Sequence, residues 1–347
     1  MNVLSDSLSQ GRAAFAVVAL AAALLCAILI VLLRPLLQRY ALARPNARSS
    51  HVVPTPQGAG IAVIGGVLAT IFACAGVMDF AVPIALFGAT AFIGLVGFVD
   101  DVRPIPVLPR LLLQAAAVGV VLVAAPYELR IFPNLPLVVE RGLLWVAGLW
   151  VVNLVNFMDG LDLMSVAEIV PITGAMILMG WFEQLPELPT LVAAALCGAM
   201  IGFAPFNRPV AKVFLGDVGS LPIGLLAGWC LLQLAWHGQL VAALLLPLYY
   251  LADATLTLLR RISRGEPFWA AHRSHFYQRA TDNGFTVLEV VLRVFALNVA
   301  LAALAAASIS TDRVGLQALI LLIGATIVTF VLYTFATGKK LFKPQRG

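Results

Sequence analysis

The sequence predicts an all-α polytopic membrane protein with about eleven transmembrane helices (ten is the alternative count), its N-terminus outside and its C-terminus cytoplasmic. Three observations predict this. Of 347 residues, 61% are hydrophobic and 11% charged, with a mean hydropathy of +0.99, whereas soluble domains carry roughly a quarter charged residues. Uncharged runs of crossing length recur along the chain, and a helix needs about 20 residues to cross. Lys and Arg gather in alternate loops, the usual mark of the inner side. These features exclude a soluble enzyme, a disordered chain and a disulfide scaffold. The net charge of +5 is a topology signal, so no nucleic-acid partner is expected. Cys26, Cys74, Cys197 and Cys230 are scattered through apolar runs and read as small core residues.

The expected spans are 13–33, 58–78, 80–99, 110–126, 141–158, 164–182, 188–206, 218–236, 240–259, 285–309 and 314–336. Asp6 precedes the first run, which is too long for a signal-peptide core, so it is expected to stay as a helix. The second opens on Pro54-Thr55-Pro56-Gln57-Gly58-Ala59-Gly60, a rigid turn. The third ends in Asp100-Asp101, and the short fourth opens at Arg110. Residues 127–140 alternate in character and are expected to form a small hairpin. The fifth run ends in Asn156-Phe157-Met158-Asp159-Gly160-Leu161-Asp162. The seventh leads to Arg208 and Lys212, and the eighth opens on Phe214-Leu215-Gly216-Asp217-Val218-Gly219-Ser220. The stretch 218–252 is too long for one crossing, and His237-Gly238-Gln239 divides it. The ninth run carries Asp253 about 10 Å from its boundary by helical rise. No internal repeat or linker appears, so residues 1–347 read as one integral-membrane unit with a motif-bearing core at about 48–280.

With the N-terminus outside, Arg12, Arg130, Arg141 and Arg313 are the outer basic residues and Arg293 lies within a span. All other Lys and Arg, from Arg34 through Arg44 and Arg48 to Lys339, Lys340, Lys343 and Arg346, fall inside. Asp100, Asp101, Asp159, Asp162 and Asp217 then all fall at inner helix ends, and His272 and His275 in an inner loop. Carboxylates converging at one depth amid arginines fit a site for a cation and a polyanion, since Mg²⁺ takes carboxylate oxygens and shares substrate phosphates. Helix capping or pairing with a neighbouring Arg is the bland reading for each, with Arg103 the partner for Asp100-Asp101. Asn156, Asp159 and Asp162 stand at i, i+3 and i+6, one face of a helix. Asp217 and Ser220 suit a helix start. His272 and His275, at i and i+3, would also share a helical face. No cysteine joins them, which argues against zinc.

In order, these motifs resemble one family, the polyprenyl-phosphate N-acetylhexosamine-1-phosphate transferases (glycosyltransferase 4; the MraY and WecA types). The resemblance runs from about Arg48 to Tyr277. It rests on the Pro-Thr-Pro turn with Gly58 and Gly60, on Phe98-Val99-Asp100-Asp101 followed by Pro109-Arg110 and Gln114, on the Asn156–Asp162 motif and on the Phe214–Ser220 motif. His272-Arg273-Ser274-His275 looks like the WbpL/WbcO-type branch, which starts O-antigen or related lipopolysaccharide and cell-envelope glycans. Leu163 and Ala59 depart from the usual glycines without removing a group that the chemistry needs.

The resemblance implies transfer of a sugar-1-phosphate from a UDP-N-acetylhexosamine to undecaprenyl phosphate, releasing UMP. It implies a 6-deoxy sugar such as FucNAc or QuiNAc, a bacterial inner-membrane location with a cytoplasmic-face site, and a homodimer as a further expectation. Mg²⁺ is the implied cofactor, with Mn²⁺ as a substitute. Asp217 and Asn156 resemble its ligands. Asp100, Asp101 and Asp159 resemble the catalytic carboxylates. Asn156, Asp162, Phe214, Lys212, Arg110, His272, Arg273 and His275 resemble substrate-binding residues, Phe214 by stacking on uracil. Within the family the rival is a WecA-type GlcNAc-1-phosphate transferase. Outside it, the rival is a cation-coupled transporter, which would place its carboxylates near the midplane of repeated halves.

Overall fold

The computed structural model describes residues 2–43, 54–78, 80–267 and 272–338, with side chains from residue 13 on. The side chains of Asp6 and Arg12 lie outside the described residues. So do Arg44, Arg48, Lys339, Lys340, Lys343 and Arg346 altogether. The chain forms α1 (Asn2–Tyr40), β1 (Leu42–Ala43), β2 (Thr55–Pro56), α2 (Gly60–Met78), α3 (Ile84–Val102), α4 (Val107–Val123), α5 (Leu137–Met158), α6 (Met164–Trp181) and α7 (Glu187–Asn207). It continues with α8 (Asp217–Trp236), α9 (Leu240–Leu245), α10 (Leu248–Ser263), α11 (Phe276–Asp282), α12 (Val287–Ile309) and α13 (Val314–Thr337).

Nine of these helices among the described residues are long and apolar enough to cross a membrane, and α4 is a shorter apolar helix. The chain is an all-α polytopic membrane protein. The expected span 240–259 is two helices, broken at Leu246-Pro247. Proline has no N–H for the helical ladder, and its ring clashes with the preceding turn. The expected hairpin at 127–140 is absent: the segment is turns, and α5 already starts at Leu137. Buried Glu140 organises it by accepting from Arg130 Nε at 2.5 Å and from Ile131 N at 2.7 Å.

The pattern of burial suits lipid as the surrounding solvent. Along α1, Leu20, Leu24, Ile28 and Leu32 are exposed, while Ala22, Cys26 and Ile30 are buried. On α10 the polar residues point inward: Asp253, Thr257 and Arg261 are buried, whereas Leu256, Leu259 and Ile262 are exposed. That is the reverse of a soluble amphipathic helix, as expected where polar groups must avoid hydrocarbon. Glu168 on α6 is likewise buried and accepts from Asn298 Nδ2 on α12 at 2.6 Å.

Helices approach closely where side chains are smallest. Gly198 and Gly202, one turn apart on α7, lie against the Ala19 and Ala23 carbonyls of α1; a Cβ on Gly198 would meet Ala19 O at 1.9 Å. This Gly-x-x-x-Gly spacing lets two membrane helices touch backbone to backbone. Likewise Gly97 brings α3 onto the first turn of α8, where a Cβ would meet Asp217 O at 2.2 Å. That contact sets the carboxylates of α3 beside those of α8.

Candidate active site

The site forms where α3, α5 and α8 meet at one end of the bundle. The Pro-Thr-Pro turn is a backbone clamp for the loop leading into α8. Phe214 N donates to Pro56 O at 2.7 Å, Ala59 N to Phe214 O at 2.9 Å and Gly60 N to Leu215 O at 2.8 Å. This fixes Phe214, half-buried, on the wall of a cavity of about 390 Å³.

The two adjacent aspartates are used differently. Asp101 is committed to the fold. Its Oδ1 accepts from Asp217 N at 2.9 Å and from Gln57 Nε2 at 2.5 Å, and its Oδ2 accepts from Val218 N at 3.0 Å. It therefore satisfies the first orphan N–H groups of α8. Asp100 faces Arg110, with Nη1 to Oδ2 at 2.5 Å, and accepts from Ile105 N at 2.6 Å. The same Arg110 Nη1 is 3.5 Å from Asp217 Oδ2. Arg110 Nε is buried without a partner among the described residues.

Asn156 Nδ2 donates to Asp217 Oδ1 at 2.8 Å and to Ser220 Oγ at 2.9 Å. Both N–H groups are thus used, and the amide oxygen is turned elsewhere. The expected single helical face of Asn156, Asp159 and Asp162 is not formed, because α5 ends at Met158. Asp159 takes a non-helical φ of −84° and ψ of 46°, and Asp162 lies in the turn beyond. The turn that follows Met158 brings both carboxylates to the cavity that they line with Asn156. Asp159 accepts from Ser165 Oγ at 2.5 Å and Asp162 from Ala211 N at 3.0 Å. Burial raises the Asp159 carboxyl to about 7, with the Asp101 and Asp162 charges adding to the rise and Ser165 opposing it.

The histidine segment is placed otherwise than its spacing suggests. Residues 272–274 are not helical and His275 is the N-cap of α11, so the two histidines share no helical face. Their rings still meet, with centroids 4.8 Å apart. Arg273 pairs with Asp282 at 2.8 Å. His272, with Nδ1 2.9 Å from Ser274 Oγ, is lowered to about 4 by burial and the nearby His275 and Arg261 charges, so it is neutral at pH 7. None of the three lines the cavity; Gln278, one turn on, does. Lys212 is exposed, two residues before Phe214.

Sequence reasoning left three residues without a role. Asp253 is fully buried and accepts from His275 Nδ1, Phe276 N and Tyr277 N at 3.0–3.2 Å, and from Tyr249 and Thr257 hydroxyls at 3.3 Å. It anchors the start of α11 and takes neither Arg260 nor Arg261; Arg261 pairs with Glu266 instead. Asn207 staples two loops, accepting from Leu163 N at 2.7 Å and donating to Val213 O at 3.0 Å. Gln278 stands in the same segment as the histidines, where no spacing of its own marks it.

Among the described residues, no three His, Cys, Asp or Glu side chains form a ready-made metal cage. The donors present nevertheless suit Mg²⁺, which takes one or two protein carboxylates and completes its shell with phosphate and water. Asp100 and Asp217 already converge on one positive nitrogen of Arg110, so the fold aims two carboxylates at a single positive charge.

Residues 83–235, from the approach to α3 to the end of α8, match the model of Glycosyl transferase family 4. Similar proteins extend beyond that stretch. The decaprenyl-phosphate N-acetylglucosaminephosphotransferase of Mycobacterium leprae is 28% identical over 332 residues, covering 83% of each chain. The probable undecaprenyl-phosphate N-acetylglucosaminyl 1-phosphate transferase of Bacillus subtilis is 25% identical over 77% of this chain and 78% of its own. The phospho-N-acetylmuramoyl-pentapeptide-transferase of Rickettsia africae is 26% identical over 81% of this chain and 88% of its own. Residues 83–235 are thus similar to a glycosyl transferase family 4 domain, and the relatives that match more of the chain carry the names of polyprenyl-phosphate N-acetylhexosamine-1-phosphate transferases.

Proposed function

We propose that this protein transfers a sugar-1-phosphate from a UDP-N-acetylhexosamine to undecaprenyl phosphate at the cytoplasmic face of a bacterial inner membrane. A lipid-phosphate oxygen forms a bond to the β-phosphorus of the nucleotide sugar. The bond from that phosphorus to the bridging oxygen breaks, and UMP leaves with the oxygen. The observation that supports this best is the convergence of Asp100, Asp217 and Arg110 beside a cavity walled by Phe214, Asn156 and Asp159. A membrane-embedded lipid and a soluble nucleotide can meet only at such a boundary.

Asp217 and Asp100, with the Asn156 amide oxygen, would hold Mg²⁺, and Mn²⁺ would substitute. When bound, the ion neutralises diphosphate oxygens and favours the leaving UMP. Arg110 adds fixed positive charge at the same point, where phosphoryl transfer depends on positioning and charge neutralisation. Asp159, at about 7, can hold or release a proton at neutral pH, which suits a group that takes a proton from the lipid phosphate. Asp101 acts as a positioning residue through the first turn of α8. Phe214 offers its ring to the uracil, and Asp162 accepts from sugar or ribose hydroxyls. His272, Arg273 and His275, which do not line the cavity themselves, would act through the segment that carries Gln278 to it.

Two donor sugars enter the test. The resemblance of His272-Arg273-Ser274-His275 to the WbpL/WbcO-type branch favours a 6-deoxy-N-acetylhexosamine and an O-antigen or related envelope glycan, whereas the names of the mycobacterial and Bacillus relatives favour GlcNAc. Purified protein is supplied with undecaprenyl phosphate, Mg²⁺ and a panel of UDP-N-acetylhexosamines, and UMP release is followed. Release should need both lipid and metal and stop on chelation. Asp217→Asn should lower it by about 10²–10³-fold or more while the protein stays folded. Near-normal turnover of that variant would remove Asp217 from the metal. Lipid-independent release, or none with any sugar, would overturn the reading.

A further inference from the structure

We propose that Gln278 is a specificity-determining residue whose side-chain amide donates a hydrogen bond to a neutral carbonyl oxygen of the nucleotide sugar; this rests on the transferase reading above. Gln278 is 7% exposed and lines the cavity with Asn156, Asp159, Gly160 and Asp162. Its two ends face different ways. Oε1 accepts from His275 N at 3.4 Å, closing the first turn of α11. Nε2 is the end turned to Gly160: a Cβ on that glycine would come within 3.1 Å of it. Among the described residues Nε2 has no acceptor, and it is not one of the fully enclosed unpartnered atoms, so it is open to a partner in the cavity.

The surroundings define what the amide can meet. Asp159 and Asp162 are acceptors and suit substrate hydroxyls. Phosphate oxygens are served by Arg110 and by the carboxylate-held cation. The strongest acceptor-only groups left on a UDP-N-acetylhexosamine are its carbonyls, on the acetamido group or on uracil, the ring ether oxygens being weaker acceptors. A neutral N–H donor beside carboxylates matches such a carbonyl and repels nothing.

A purely structural role makes a different prediction. If Gln278 only closes the helix turn, glutamate should serve as well, because Glu is a customary partner at that capping position. Gln278→Glu keeps the shape and the capping oxygen but replaces the N–H donor by an acceptor. Gln278→Met removes donor and acceptor without adding charge. Both variants are assayed beside wild type for UMP release with undecaprenyl phosphate and the best UDP-N-acetylhexosamine, with melting temperature and inhibition by UMP measured in parallel.

The donor role predicts that both lose about 10- to 100-fold in kcat/KM, and that Gln278→Glu does so at an unchanged melting temperature. Unchanged UMP inhibition would then assign the carbonyl to the acetamido group, and inhibition weakened in step would assign it to uracil. Wild-type kinetics in Gln278→Glu would overturn the inference and leave the transferase reading standing. A loss in Gln278→Glu alone would also overturn it, as an effect of added charge. A wild-type protein inactive with every UDP-sugar would overturn both.

Discussion

Asp253 accepts from five donors on two helices and carries no exposure to solvent. A carboxylate can only accept, so the His275 nitrogen facing it is the protonated Nδ1, and Nε2 is left for other contacts. Removing this acceptor strands the N–H groups that start α11. Asp253→Ala should therefore cost about 3–5 kcal/mol and be read as a lower melting temperature in detergent; an unchanged value would mean that α11 is held by other contacts. Residue identity marked several of the polar side chains that meet at one end of the bundle. Asp100, Asn156, Asp159, Asp162, Phe214 and Asp217 do gather at one place. Asp101 shows the limit, because nothing in an Asp-Asp pair says which carboxylate will accept from the N–H groups of a helix 116 residues away. Gln278 shows it again: its value lies in an amide end pointed at a cavity, which is a matter of tertiary geometry.

At the scale of elements, hydrophobic runs located the membrane helices, and polar breaks located their ends. Two departures have local causes. Pro247 breaks the ninth run into α9 and α10. Glu140 with Arg130 replaces strand pairing by a turn held through side chains. The α1–α7 contact depends on absent side chains, and Gly198→Ala tests it. Its Cβ would press on the Ala19 carbonyl at 1.9 Å, whereas Gly174→Ala meets nothing within 4 Å. Overpacking typically costs about 1–3 kcal/mol. Gly198→Ala should melt lower than wild type, and Gly174→Ala should not. Equal melting of the two variants would mean that the bundle relaxes around α7 at no cost.

Across the whole molecule, the candidate site sits at one end of the bundle and the α12–α13 turn at the other. Val287 lines the cavity, and α12 runs 23 residues from there, about 34 Å by helical rise. The excess of Lys and Arg on the site side predicts that this end faces the cytoplasm. Cysteines introduced at Arg208 and at Thr311 should label from opposite sides: the first with an impermeant thiol reagent only after the membrane is opened, the second in intact cells. The reverse pattern would invert the orientation and place the site outside.

Composition and run length determined by themselves that this chain is a helical membrane protein, because burying so much apolar surface in water-soluble form is not feasible and lipid demands closed backbone hydrogen bonding. Residue type and position at the ends of apolar runs also pointed to which carboxylates belong together, since ionisable groups at a membrane boundary are costly to place. Tertiary structure alone decided how they divide the roles. Asp101 became a helix cap, Asp253 an anchor, and Gln278 a cavity wall in place of the histidines beside it. Those assignments depend on which atoms meet across α3, α5, α8, α10 and α11. Contacts between residues distant in sequence are fixed by helix packing, and no local pattern in the chain encodes them.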